Sequence, residues 1–162
     1  MVVGDCNVGK SAFCKVAAGL DYPFDIKPTV GSDYFMRTVK NANGYFQFNL
    51  FDMSGDPTYV EVRNEFYKEA QVLIIMYDIS RRQTFDALEM WLREVSKHGP
   101  ENVNLPVFVV GHKNDLDGKR AMQKQETEKW ATSRKFFYSE ASAKDQRGFL
   151  ELFGNIASQF NN

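Results

Sequence analysis

Hydrophobic and polar residues along this chain fall into short blocks whose period switches back and forth between that of a strand and that of a helix. Val72 to Tyr77 and Val107 to Gly111 are unbroken apolar runs, as expected of strands covered on both faces in a parallel sheet, and Phe136 to Tyr138 is a shorter third. Residues 34–40 and 45–51, rich in Tyr, Phe, Val and Leu, flank Asn43-Gly44, two residues that tolerate positive φ, so an antiparallel hairpin is predicted there. A helical period runs from Ser11 to Leu20. It returns in Phe85, Leu88, Trp91, Leu92 and Val95, and again in Phe149, Leu152, Phe153, Ile156 and Phe160, which mark two core-facing stripes. Pro23 and Pro28 break any period between Asp21 and Gly31, which predicts a mobile loop. No internal repeat or low-complexity linker interrupts the alternation, so residues 1–162 read as one α/β domain.

Composition narrows this picture. A chain of 162 residues with 43% hydrophobic content supports one well-buried core and is too short for two comfortable domains. Its 20 basic and 21 acidic residues are interspersed, for a net charge of −1, so charge implies neither nucleic acid nor an anionic membrane as partner. No apolar run approaches the length of a membrane span, no signal peptide or lipidation motif is visible, and Cys6 and Cys14 do not look like a disulfide framework. A monomer in the reducing cytoplasm or nucleus is expected. Only three residues precede Gly4, which is short for a buried strand, so the natural chain is expected to begin earlier, and truncation at the C-terminus is allowed for as well. His98, before Gly99-Pro100, complements the carboxyl end of a helix dipole and receives no role.

The chemistry is concentrated in Gly4-Asp5-Cys6-Asn7-Val8-Gly9-Lys10-Ser11, which satisfies GxxxxGK[ST] between a strand-like start and a helical pattern. Such a loop binds phosphate through a ring of inward-pointing backbone N–H groups. Gly4 and Gly9 stand where a side chain would block the turn or the ligand. The helix starting near Lys10 adds the positive end of its dipole, Lys10 can reach the outer phosphates, and Ser11 can bind Mg²⁺. The alternative is an ordinary glycine turn between strand and helix. Further on, Leu50 to Gly55 is a strand ending in DxxG, where Asp52 can hold Mg²⁺ through water and the Gly55 N–H can approach a terminal phosphate. Alone, that pattern equally suits a turn-forming aspartate. Thr29, in Pro28-Thr29-Val30-Gly31, sits in the mobile loop where its hydroxyl could complete the metal shell when a third phosphate is present. Otherwise it is a solvated threonine.

Taken in order behind the phosphate loop, PTVG, DxxG, Lys113-Asn114-Asp115 and Ser142-Ala143-Lys144 resemble the small GTPases of the Ras superfamily over essentially the whole chain. The GDxxVGKS form of the loop is Rab-like. The run from Phe51 to Pro57, then Glu61 to Tyr67 and Phe85 to Leu88, is most similar to the Rab-like GTPases that carry a C-terminal J domain, the Rab and DnaJ domain-containing type. The resemblance implies a Ras-like P-loop fold, an α/β architecture with a mostly parallel six-stranded sheet flanked by helices on both faces. It also implies a molecular switch that binds GTP and GDP with Mg²⁺. In this chain Lys10, Ser11, Thr29, Asp52 and Gly55 would surround phosphates and metal, Asp115 would accept two hydrogen bonds from guanine, Lys113 and Lys144 would flank the ring, and Ala143 would donate its N–H to the guanine carbonyl. Tyr22 would stack on the base or pack on the surface. Residues 25–39 and 53–70 would meet effector and regulatory proteins.

Two positions depart from the family pattern. His112 stands where NKxD begins with asparagine; a neutral imidazole can donate one hydrogen bond to purine N7, or can be a strand-end histidine turned away from the ligand. Asp56 stands where a glutamine usually orients the attacking water. A carboxylate beside a phosphate is repelled or protonated, while Asp before Pro57 also makes a favoured helix N-cap, and either way turnover is expected to be slow. The sequence thus supports a slow GTPase switch, with a constitutively GTP-bound interaction module as the alternative. An ATP-dependent kinase leaves Lys113, Asp115 and Ser142 to Lys144 unexplained.

Overall fold

Six strands make one sheet in the spatial order β2-β3-β1-β4-β5-β6: β1 (Val2–Gly4), β2 (Ser32–Asn41), β3 (Gly44–Met53), β4 (Leu73–Asp78), β5 (Val107–His112) and β6 (Phe137–Ala141). In the computed structural model, which describes residues 1–41, 44–100 and 104–160, β2 and β3 are antiparallel and every other pairing is parallel. Sequential strands lie on opposite sides of β1, so the strand order reverses there. That reversal opens a crevice at the carboxyl ends of the central strands, the usual ligand position in such sheets. Asn43 of the expected Asn43-Gly44 turn lies outside the described residues, but the pairing runs from Ser32 opposite Met53 to Asn41 opposite Gly44. Both hairpin strands are longer than their apolar stretches, because backbone pairing carries on through Ser32 and Asp33 opposite Met53 and Asp52.

Helices α1 (Lys10–Ala17) and α6 (Phe149–Ser158) cover one face of the sheet; α2 (Val60–Tyr67), α3 (Arg82–Asp86), α4 (Leu88–His98) and α5 (Lys124–Ser133) belong to the other. The period-2 rule divides each central strand between two cores. Ile74, Met76, Phe108 and Val110 pack with Phe13, Leu152 and Phe153, while Leu73, Ile75, Tyr77, Val107 and Val109 pack with Leu88, Trp91 and Val95. Both faces are therefore apolar, which is why the parallel strands read as unbroken hydrophobic runs.

Several boundaries differ from expectation for identifiable reasons. Helix α1 stops at Ala17 rather than Leu20: Arg37 donates to the Ala17 carbonyl and Gly19 turns the chain at φ 83°, leaving Leu20 exposed. The expected 85–95 stripe is divided between α3 and α4, meeting at Ala87, with Leu92 only partly buried. Phe160 lies beyond the last turn of α6 and is 47% exposed, so it is not a core residue. His98 does end α4, as its position before Gly99 suggests. Among the described residues no helix is long and apolar enough to cross a membrane, and Cys6 and Cys14 are both free, one exposed and one buried.

Candidate functional site

The segments that follow the carboxyl ends of β1, β3, β5 and β6 surround a cavity of ≈ 720 Å³ lined by residues of every motif singled out from the sequence. Residues 4–9 run directly from β1 into α1. The requirement for Gly4 differs from expectation: a Cβ there would lie 2.3 Å from the Met76 carbonyl of β4, so strand proximity, not a ligand, excludes a side chain. Gly9, at φ 99°, would place a Cβ 2.5 Å from Nδ1 of His112. Asn7 also adopts positive φ. Lys10 is buried, and its ammonium donates to the carbonyls of Gly4 (2.7 Å) and Asp5 (2.8 Å), which fixes a positive charge at the loop. Burial lowers its pKa, opposed chiefly by Asp52.

Three oxygens from distant segments meet beside Lys10. The hydroxyls of Ser11 and Thr29 are 2.8 Å apart, and Thr29 donates to Asp52 Oδ2 at 3.2 Å. Asp52 is fully buried and its Oδ1 has no hydrogen-bond partner. Burial raises the Asp52 pKa, against the pull of Ser11, Lys10 and Thr29. A buried carboxylate oxygen without a partner costs roughly 1–3 kcal/mol or more, a cost that a cation offsets. Two hydroxyls and one carboxylate suit a hard ion such as Mg²⁺, which takes few protein ligands and completes its shell with water and phosphate oxygens. Gly55 follows closely: a Cβ there would come within 2.7 Å of Gly4 O and 2.6 Å of Cys6 N, so only glycine lets this segment lie against the phosphate loop.

At the other end of the cavity, Asp115 Oδ1 accepts the Ser142 hydroxyl at 2.7 Å, and Ser142 Oγ accepts the Asp145 N–H at 3.1 Å. Asp115 is thereby oriented with lone pairs to spare on both oxygens. Lys113, at φ 64°, does not extend its ammonium along the cavity: it donates to the Asn7 carbonyl (2.8 Å) and to Asp78 Oδ2 (2.7 Å), leaving its aliphatic stem in the wall. Lys144 is exposed at the rim, and Tyr22, edge-on to Phe24, also lines the cavity. His112 is buried. Its Nδ1–H donates to the Val8 carbonyl at 2.8 Å and its Nε2 accepts the Ala143 N–H at 3.2 Å. Both ring nitrogens thus have partners within the protein, and His112 and Ala143 both line the cavity. Burial pushes the imidazole pKa down to about 4, so it is neutral at physiological pH.

Asp56 is exposed and caps the short 3-10 turn Pro57–Tyr59, accepting the Thr58 N–H at 2.8 Å with Pro57 at the first position. That hydrogen bond holds its carboxyl below the usual range.

The supporting network was not visible in sequence. Buried Arg63 forms a bidentate pair with Glu94 (2.7 and 3.1 Å), donates to the carbonyls of Ser54 (3.1 Å) and Asp56 (2.8 Å), and lies over the Trp91 ring. Tyr67 donates to Glu94 at 2.9 Å, and Trp91 Nε1 donates to Asp5 Oδ1 at 2.7 Å. Asp78, which anchors Lys113, Ser80 and Arg81, was also missed, though its place at a strand's carboxyl end parallels Asp52. A buried indole N–H needs an acceptor, the one signal that could have directed attention from Trp91 to a nearby carboxylate.

A Ras family profile matches residues 1–162. Among curated proteins, the chain is 37% identical over 159 residues to DnaJ homolog subfamily C member 27 of Danio rerio and 38% identical over 159 residues to that of Gallus gallus, covering 96% of this chain and 58% of each relative. It is 38% identical over 154 residues to that of Rattus norvegicus, covering 93% of this chain and 56% of the relative. The chain thus spans a little over half the length of these relatives. With the phosphate loop, the reversed strand order at β1 and the whole-length match in agreement, the chain belongs to the Ras family.

Proposed function

We propose that this chain, read as one GTP-binding domain, is a guanine-nucleotide switch that takes GTP and GDP with Mg²⁺ and hydrolyses GTP slowly. The observation that carries the reading is the arrangement of one cavity: Lys10, Ser11 and Thr29 line one end, with Asp52 hydrogen-bonded behind Thr29, and the Ser142-braced Asp115 lines the other. Lys10 places a fixed positive charge where phosphate oxygens lie against the loop, and Ser11, Thr29 and Asp52 would hold the metal. Bound Mg²⁺ would supply charge neutralisation at the phosphates. Asp115 accepts the paired N–H donors of guanine, which adenine lacks. Nucleotide released from purified protein should be GDP or GTP, bound at one per chain and lost faster when EDTA removes the metal. Recovery of adenine nucleotides, or of none after loading with GTP and Mg²⁺, rejects the reading.

Thr29 bridges Ser11 and Asp52 from the loop, so it is the residue through which a third phosphate would order residues 25–33. Hydrogen exchange across that segment should be slower with a non-hydrolysable GTP analogue than with GDP, and Thr29→Ala should abolish the difference. Equal protection in both states counts against a switch. The partner surfaces on this reading are residues 25–39 and 53–70, where Val30, Tyr34 and Met36 are exposed.

The Asp56 carboxylate caps the turn at Thr58, an engagement that turns it from the task of orienting water. The same observation supports the second reading, a module that stays GTP-bound. Single-turnover hydrolysis should run no faster than the order of 10⁻⁴ per second. Asp56→Gln should raise it severalfold if the neutral amide reaches the water, within the extended bias that Pro57 imposes. Asp56→Asn keeps a capping group and removes the charge, and should leave the melting temperature in place, whereas Asp56→Ala should lower it. Flat rates in Gln and Asn with a melting loss only in Ala would mean Asp56 is structural alone. No measurable turnover in any variant favours the constitutively bound module.

A further inference from the structure

We propose that His112 closes the N7/O6 edge of the base site, so that this chain recognises the purine on its N1/N2 edge alone. The inference rests on the guanine-nucleotide reading above. With the N1–H and N2–H₂ donors of guanine directed at Asp115, the opposite edge presents only acceptors, O6 and N7, and needs donors from the protein. The cavity wall beside Asp115 offers His112, Ala143, Lys113 and Lys144. Lys113 has its ammonium on Asn7 O and Asp78, and Lys144 stands exposed at the rim. That leaves the imidazole and the Ala143 N–H, which are paired with each other at 3.2 Å in a buried contact.

The pairing is enforced from the other side. A neutral imidazole has one N–H and one lone-pair nitrogen. The Val8 carbonyl at 2.8 Å takes the N–H, so the nitrogen facing Ala143 can only accept. The perpendicular Phe13 ring, its centroid 6.0 Å from that of the imidazole, and Gly9, whose Cβ would lie 2.5 Å from Nδ1, pack against the ring. Rotating it to donate into the cavity breaks a buried hydrogen bond to Val8. An asparagine amide at this position carries two N–H groups and a carbonyl oxygen, so it can serve Val8 and still donate to N7. Histidine keeps the tie between β5 and the phosphate loop and gives up the donor.

The test compares GDP with 7-deaza-GDP, in which N7 is replaced by C–H, by competition binding in Mg²⁺ to the wild-type chain and to His112→Asn. Wild type should hold the two within about twofold, since no donor meets N7. His112→Asn should prefer GDP about five- to tenfold, the effect of one hydrogen bond near 1 kcal/mol at tenfold per 1.4 kcal/mol, and should release GDP more slowly by a similar factor as the Ala143 N–H becomes free for O6. The wild-type comparison stands by itself if the variant does not fold. A wild-type preference for GDP of fivefold or more means that His112 does donate to N7 and overturns the proposal. So does a folded His112→Asn that binds and releases both nucleotides as wild type does. Failure of wild type to bind either diphosphate overturns the guanine-nucleotide reading, and this inference with it.

Discussion

Asp115→Asn should lower GTP affinity on the order of 10⁴-fold and bring XTP into preference, because the site's recognition of the N1/N2 edge rests on this one carboxylate. Ser142 holds Oδ1 at 2.7 Å, so the carboxylate enters binding already oriented. An asparagine there turns one acceptor into a donor, which opposes the guanine N–H groups and matches the carbonyl that xanthine presents at position 2. Ser142→Ala should have a smaller effect, about tenfold or less, since it loosens Asp115 without reversing any donor. Competition among GTP, XTP and ATP measures both variants. If Asp115→Asn keeps its preference for GTP, Asp115 is not in the base site, and the Ser142 contact is no more than a bond that fixes a loop.

The asymmetry between what sequence disclosed and what it did not follows from how local each feature is. The phosphate loop is eight consecutive residues whose backbone geometry is fixed by glycine, so its spacing alone leads to Lys10 and Ser11. Asp52 was legible because it lies at the carboxyl end of β3 and Asp115 because it follows β5 by three residues, and such strand ends meet at one side of a parallel sheet. Asp5 and Trp91, by contrast, are 86 positions apart in sequence, and nothing in the pattern around either residue specifies a hydrogen bond between them. Trp91 reads as core and is core; its polar edge is a second property that hydrophobic periodicity does not encode. His112 shows another limit. Its type and place were visible, but a ring with two inequivalent nitrogens can serve several partners, and only the positions of Val8 and Ala143 decide which. The N-cap reading of Asp56 could be drawn from Asp-Pro because capping involves neighbouring residues alone.

Arg63→Ala should produce the largest loss of stability of any single change near the site, about 3–5 kcal/mol, or roughly 10 °C in melting temperature for a domain of this size. The side chain is 3% exposed and serves four acceptors: both oxygens of Glu94 and the carbonyls of Ser54 and Asp56 on either side of Gly55. Truncation leaves Glu94 as a partly buried charge, with Tyr67 still donating to it, and takes the Arg63 donor from the two carbonyls on either side of Gly55, of which Asp56 keeps the Tyr59 N–H. Two effects are therefore expected together: a lower melting temperature, and faster hydrogen exchange across residues 54–63. They separate in the double variant Arg63→Met with Glu94→Leu. Removing both charges takes away the desolvation penalty, and apolar packing against Trp91 should recover most of the stability. The Ser54 and Asp56 carbonyls would still lack the Arg63 guanidinium, so the rapid exchange at 54–63 should persist in the stable double variant. If exchange returns to the wild-type rate along with the melting temperature, Arg63 contributes core stability alone, and Gly55 is held by the close packing of residues 4–6 without its help.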